Sequence, residues 1–337
     1  MKKELTETRP LRSDPESALA QEFGECYLLY RRTWQDVSAF KHETRTPLHL
    51  DFELNYTCNM RCILCPHGIS EAPRPSYAHD LLPFELYKRI VDEGAAKDLR
   101  AVRLSQLNEP LLRGDLEKFI AYAREAGMLD VMINTNAMLL TPERAYSLIE
   151  AGLTQLRVSL DAATADTYAK VRCGGDFGRV TANIRSFLKI RNEMGRTLPL
   201  VRVSFVRCAQ NAQELDAFLE QWRHEADFCA VSDYANWVTE DTGAAEKFAP
   251  PQADIPQETG FACIQPWQRG TVFPNGDFIP CCSEFYRLHP VGNLYHQGLE
   301  EIWSSPALHA LRETHREGRW EDHEICRRCV TMSRATP

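Results

Sequence analysis

The chain has 337 residues, 44% hydrophobic and 26% charged, a balance that suits folded domains and excludes disorder over most of its length. Lys and Arg number 39 against 47 Asp and Glu, and the net charge of −8 argues against nucleic acid as the main partner, because a phosphate-binding surface needs a basic face. No apolar run reaches the roughly 18 residues that span a bilayer, and the start, MKKELTETRPLRSDPESALAQEF, lacks the apolar stretch of a signal peptide. A cytoplasmic chain without nucleic-acid or membrane partners is expected, its 12 cysteines held as reduced thiols or metal ligands rather than disulfides.

Residues 1–46 are polar and read as an N-terminal extension with one short helix near Ala18–Ser38. From Leu48 the pattern alternates. Leu48, Leu50, Phe52 and Leu54 face one way and His49, Asp51, Glu53 and Asn55 the other, which predicts a strand with two different faces. A helix over 83–96 opens on Pro83, a strand covers 100–106, and a helix over 115–126 stops at Gly127. Strand 129–135 precedes a helix over 141–151 with a Thr-Pro-Glu start and a Gly152 stop. Strand 155–160, helix 178–194, strand 200–206, helix 212–224 and strand 228–234 complete the rhythm. Six strands alternating with helices predict parallel βα units, whose right-handed crossovers curl the sheet. The fold class is therefore α/β, a partial (β/α)6 barrel over 47–235. Residues 236–260, polar and rich in Pro and Ala, read as a linker or lid. A smaller unit follows over 261–335, with a hairpin turn at Pro274-Asn275-Gly276-Asp277 and a helix around 299–316.

Two groups of cysteines stand out. Cys58, Cys62 and Cys65 form C-x3-C-x2-C directly after the first strand; Cys263, the pair Cys281-Cys282, and Cys326 with Cys329 lie in the tail. Three thiols within eight residues cannot all point to one side of a regular element, so a loop around a metal centre fits better. Zinc usually takes four ligands in pairs, whereas a [4Fe–4S] cube held by three thiolates keeps one iron open. Chance clustering and a zinc site with a distant fourth ligand are the alternatives.

The triplet, YTCNMRCILCPHG after LHLDFELNYT, resembles the signature of the radical S-adenosylmethionine enzymes, and the resemblance extends over residues 47–335. It implies that Cys58, Cys62 and Cys65 hold a [4Fe–4S] cluster whose open iron chelates the methionine moiety of S-adenosylmethionine, from which a 5′-deoxyadenosyl radical is released. Active sites on such barrels lie at the C-terminal strand ends, and the residues there match the family in order. Leu64 falls where an apolar residue flanks the adenine. Asn108-Glu109-Pro110 resembles the Gly-Glu-Pro segment that binds the methionine amino group, with Asn108 in the Gly place. Asn134-Thr135-Asn136 resembles Thr-Asn-Gly, with Ala137 for Gly. Ser159-Leu160-Asp161 resembles a Ser-x-Asp that contacts the cofactor, and Arg172 suits the methionine carboxylate. Each has a plainer reading: Glu109 as a helix cap, Ser159 as a strand-end backbone partner, Arg172 as a surface ion pair.

The tail resembles a twitch/SPASM-like auxiliary domain. Five cysteines suit one auxiliary [4Fe–4S] cluster, held by Cys263, Cys281, Cys326 and Cys329, with Cys282 as spare or substitute; a zinc ribbon is the alternative. Four protein ligands close a cluster, which leaves it electron transfer. The resemblance is nearest to sugar and aminocyclitol dehydrogenases of the 2-deoxy-scyllo-inosamine dehydrogenase type, and implies a flavodoxin- or ferredoxin-type electron donor and a small carbohydrate-like substrate oxidised at a carbinol carbon. Epimerisation with a thiol hydrogen donor is the second reading, with Cys208 and Cys282 as donors ahead of Cys173 and Cys229; modification of a ribosomal peptide is the third. His67, Asp233 and Tyr234 are candidate bases. A non-catalytic iron–sulfur scaffold is the contrasting class.

Overall fold

The structure, a computed structural model, describes residues 6–69, 72, 74–234, 247–248, 263–281, 290–323 and 326. All but Lys247 and Phe248 of the expected linker or lid 236–260 lie outside these.

The alternating pattern becomes six parallel strands: β2 (His49–Phe52), β3 (Ala101–Arg103), β4 (Asp130–Thr135), β5 (Gln155–Ser159), β6 (Leu200–Arg207) and β7 (Phe228–Asp233), paired in chain order. Helices α2 (Phe84–Ala95), α3 (Leu116–Glu125), α4 (Pro142–Glu150), α6 (Phe177–Glu193) and α7 (Leu215–Trp222) make the crossovers, with a short α5 (Ala165–Val171) inserted after β5. Local chemistry sets their starts. The side chains of Thr141, Thr164 and Asp176 accept the N–H groups of Arg144, Thr167 and Arg179. This consecutive parallel order is that of a partial (β/α)6 barrel. One face of each strand, including Leu50, Phe52, Val131, Ile133, Val158, Val203 and Phe205, packs with Phe119, Leu148, Ile184 and Phe187 of the helices in the main core. The other face lines the lumen.

The first 46 residues do more than extend the chain. Strand β1 (Thr6–Pro10) pairs antiparallel with β7. Helix α1 (Pro15–Ser38) packs Leu19, Tyr27, Tyr30 and Val37 against Leu48, Ala101, Met132, Leu200 and Phe228, which lie at the N-terminal ends of the barrel strands. This helix closes the bottom of the lumen. It runs longer than the helix expected near Ala18–Ser38, and Gly24 at φ 58° kinks it.

The expected hairpin forms from β8 (Arg269–Val272) and β9 (Asp277–Ile279), with Gly276 at φ 83° in the turn. It does not stand apart from the barrel. Strand β8 pairs parallel with β2, whose edge would otherwise leave backbone groups unpaired, and β10 (Gly292–Asn293) follows β9. Among the described residues ten strands thus form one sheet. The tail is also pinned by Glu93 of α2, which accepts the N–H groups of Leu299 and Glu300 at 2.8 and 2.9 Å, at the start of the Leu299–Trp303 helix. No helix among the described residues is long and apolar enough to cross a membrane.

Candidate active site

The loop after β2 carries the three-cysteine motif. Its path is set by backbone bonds to the segment after α5: Arg61 N–H donates to Cys173 O at 2.9 Å and Ile63 N–H to Val171 O at 3.1 Å. Gly68 lies against the loop so closely that a Cβ would meet Cys62 O at 2.1 Å, so no other residue fits there. Cys62 is buried, Cys58 and Cys65 are half-buried, and the described cysteines form no disulfide. Two of the sulfurs have donors: Asn136 Nδ2 lies 3.8 Å from Cys58 Sγ and Arg172 Nη1 3.6 Å from Cys62 Sγ. Burial pushes all three thiols up, Cys65 to about 12, so cationic iron is the natural agent to hold them as thiolates. Among the described residues no three His, Cys, Asp or Glu side chains are grouped to hold a single metal ion. The chemistry of the donor set, three thiols on one loop with N–H groups aimed at two of them, fits a cluster with three protein ligands.

The strand-end residues converge beside this loop. Glu109 is buried and accepts from Thr135 Oγ1 at 2.6 Å, Asn136 N at 2.7 Å and Leu111 N at 3.1 Å. The Leu111 bond caps the turn Pro110–Leu112, so the plainer reading of Glu109 is realised, yet the same carboxylate ties β4 to the loop. Burial raises its pKa. Asn108 bonds Asn55 Oδ1 at 3.1 Å and its backbone is not at positive φ, so glycine is not required there. Ala137, in contrast, sits at φ 57°, the conformation that favours glycine. Arg172 is no surface pair. Its guanidinium is paired with buried Asp161, itself at φ 59° and held by Val206 N–H at 2.7 Å. Arg172 Nε has no hydrogen-bond partner among the described residues. Ser159 ends β5 on the lumen face opposite Ser204, and Leu64 is half-buried outside the packed cores.

The candidate bases and donors separate. Asp233 is exposed and paired with Arg207 at 2.6 Å. The His67 ring stacks on Tyr56, centroids 4.3 Å apart. Burial pushes its pKa down to about 4. Tyr234 packs edge-on against Phe248 at 5.8 Å. Cys208 is fully buried, its N–H bonded to Asn211 Oδ1 at 2.7 Å, and Cys229 is fully buried in the main core. Cys173 Sγ faces Lys170 O at 3.4 Å.

One lumen carboxyl reads in the sequence only as part of a strand face. Glu53 is fully buried, accepts Leu107 N–H at 2.8 Å on one oxygen, and has no hydrogen-bond partner on the other among the described residues. Burial pushes it up to about 8. Its signal was the alternation itself: an acidic side chain at an inward position of a barrel strand.

In the tail, His315 is buried between two expected ligands. Its Nδ1 accepts Cys263 N–H at 3.2 Å and its Nε2 lies 3.3 Å from Cys326 Sγ. Cys281 O accepts Thr271 Oγ1 at 2.9 Å. Cys282 and Cys329 lie outside the described residues. The tail meets the cluster loop through Tyr56, Tyr77, Phe273 and Ile279, which share a small apolar core.

Comparison with known proteins agrees with this geometry. The Radical SAM superfamily matches residues 52–201, and the SPASM iron–sulfur cluster-binding domain matches 263–330. GTP 3′,8-cyclase of Petrotoga mobilis is 31% identical over 145 residues, 42% of this chain and 43% of that enzyme; the chain thus spans less than half the length of this curated relative. Among solved structures, BtrN in complex with AdoMet and 2-DOIA superposes with a TM-score of 0.52 at 19% identity, covering 83% of this chain and 91% of BtrN. Streptococcus suis SuiB bound to precursor peptide SuiA superposes at 0.59 with 14% identity, covering 86% and 71%. These two likenesses concern the fold.

Proposed function

Because the chain is a radical S-adenosylmethionine enzyme with a SPASM iron–sulfur domain, we propose that it removes a hydrogen atom from a carbinol carbon of a sugar or aminocyclitol and oxidises that carbon to a ketone, the electron passing to the auxiliary cluster. The cluster and S-adenosylmethionine supply the hydrogen-abstracting radical when bound; the remaining work falls to side chains. Cys58, Cys62 and Cys65 hold the cluster, with Asn136 and Arg172 as donors to sulfur that tune it. Glu109 and the unpartnered Nε of Arg172 address the amino and carboxylate groups of the cofactor, Asp161 orients Arg172, and Leu64, Asn108 and Ser159 complete the cofactor's surroundings. Cys263, Cys281, Cys326 and Cys329 hold the auxiliary cluster.

The observation that carries oxidation is Glu53. A ketone forms only if the hydroxyl proton leaves, and Glu53 puts a carboxyl of raised proton affinity, one oxygen unpartnered, in the lumen beside the 105–110 segment. The complete burial of Cys208 speaks against it as the open thiol donor of an epimerase; Cys282 keeps that second reading alive. The test is anaerobic reconstitution with S-adenosylmethionine and dithionite, scored for 5′-deoxyadenosine. No cleavage at full cluster content refutes radical chemistry. With a turned-over sugar in D2O, loss of two hydrogens supports oxidation, and one solvent deuterium in a product of otherwise unchanged mass refutes it in favour of epimerisation.

A further inference from the structure

The lumen holds a layer of arginines that the proposed oxidation does not use. Arg103 on β3, Arg157 on β5, Arg202 on β6 and Arg269 on β8 alternate with residues of the outer core: Val102 and Leu104, Leu156 and Val158, Val201 and Val203 are fully buried there. Strand alternation therefore turns the arginines inward. The register places Arg157 directly opposite Arg202. Asp51 engages two of them, Arg103 at 2.8 Å and Arg269 at 2.6 Å. Asp130 reaches Arg157 only through Gln155, whose Nε2 donates to it at 2.8 Å while its Oε1 accepts from Arg157 at 2.9 Å. Arg31 of α1, below the layer, is paired with Glu16.

Arg202 is different. No ion pair or hydrogen bond reaches it among the described residues, and its Nε and the Oγ of Ser204, two positions above on the same face, are buried without partners. Burial, together with the charges of Arg157 and Arg103, depresses its proton affinity well below the usual guanidinium range. Among the described residues four guanidinium groups face the carboxylates of Asp51 and Asp130 and, when it has given up its proton, that of Glu53, whose proton affinity burial raises. Arg202 is half-buried, with its Nε out of water; a charge withdrawn from water and left unpaired is costly, and a ligand can supply a counter-charge.

We infer that the substrate bears an oxyanion group, a phosphate ester or a carboxylate, which seats on Arg202 and Arg157 in the lumen beneath the cluster loop. This rests on the substrate entering the barrel as proposed above and narrows its class: an acidic sugar is attracted, and a protonated aminocyclitol is repelled.

The test uses the reconstituted holoprotein with S-adenosylmethionine. Thermal unfolding is followed with inorganic phosphate, acetate or chloride at matched ionic strength. A saturable rise in Tm with phosphate alone assigns a phosphate ester, and with acetate alone a carboxylate. Arg202→Met is expected to weaken the effective anion by about 10- to 100-fold. It is also expected to hold or raise Tm in the absence of anion, since it removes an unpaired, half-buried charge. Arg157→Met is the second variant, and exposed Arg196→Gln is the control that keeps the shift. Equal shifts with all three anions, or a full shift in both lumen variants, overturn the inference. The same preparation is scored for 5′-deoxyadenosine. Cleavage without anion binding refutes this site and leaves the radical reading intact, while anion binding without cleavage supports the site and refutes that reading.

Discussion

Asp51→Asn removes a carboxylate that joins three strands of the sheet. Asp51 has no exposed surface and meets Arg103 at 2.8 Å, Arg269 at 2.6 Å and His49 at 2.8 Å, so a single side chain ties β2 to β3 and to the tail strand β8. Asparagine keeps the shape and loses the charge that both Arg103 and Arg269 face. Breaking a buried pair from one side costs about 3–5 kcal/mol, which for a chain of this size lowers Tm by roughly 4–7 °C. The pH dependence has a fixed sign. Burial alone would raise the Asp51 pKa, but Arg103 and Arg269 outweigh it and hold the carboxyl well below its ordinary value of 3.8. The folded value lies below the unfolded one, so the stability it contributes is complete above pH 3.8 and fades as pH falls below it. Urea unfolding of wild type and Asp51→Asn, monitored by circular dichroism, should show the full difference at neutral pH and a shrinking one in acid. Adding Arg269→Met to Asp51→Asn should recover part of the loss, because the orphaned cation goes with its partner. A loss below about 1 kcal/mol, a surface-pair magnitude, or a double variant weaker than Asp51→Asn would refute the reasoning.

Glu53→Gln imitates the protonated carboxyl. Because the folded pKa is raised from 4.5 to about 8, wild-type stability falls as pH climbs between those values. The variant should match wild type near pH 5 and exceed it at pH 9 in the same unfolding assay; equal stability at both would contradict the assigned burial. Gly68→Ala drives a Cβ to 2.1 Å from Cys62 O and must displace the loop. 5′-deoxyadenosine formation should drop by about 10²-fold, with reduced iron content after reconstitution, and near-normal activity would show that the loop tolerates the shift. Ala137→Gly relieves a φ of 57°, and after glycine's own entropic cost should stabilise the fold by about 0.5–1 kcal/mol in chemical denaturation; a net loss would mean that Ala137 packing outweighs the strain.

What the sequence determined by itself is whatever is encoded over short distances. Six strands were legible because Leu48 to Leu54 and their counterparts alternate with period two, and helix ends were legible at Gly127 and Gly152, both at positive φ in the structure. The cluster loop was legible because its three thiols lie within eight residues, and the hairpin because Asn275-Gly276 can turn nowhere else. Strand β1 and the full length of α1 were not legible: a five-residue edge strand, TETRP, has no alternation, and α1 has its apolar residues chosen for the underside of a barrel not yet formed. The same limit applies to the lumen. Arg103, Arg157, Arg202 and Arg269 are spread over more than 160 residues, and each alone reads as an exposed position on an amphipathic strand. Only closure of the sheet turns those positions into an interior, where among the described residues they meet Asp51 and Asp130. Sequence spacing by itself therefore marked the three-cysteine loop. The convergence of distant strands, which desolvates charges that water would otherwise screen, decided which charged side chains meet in the lumen.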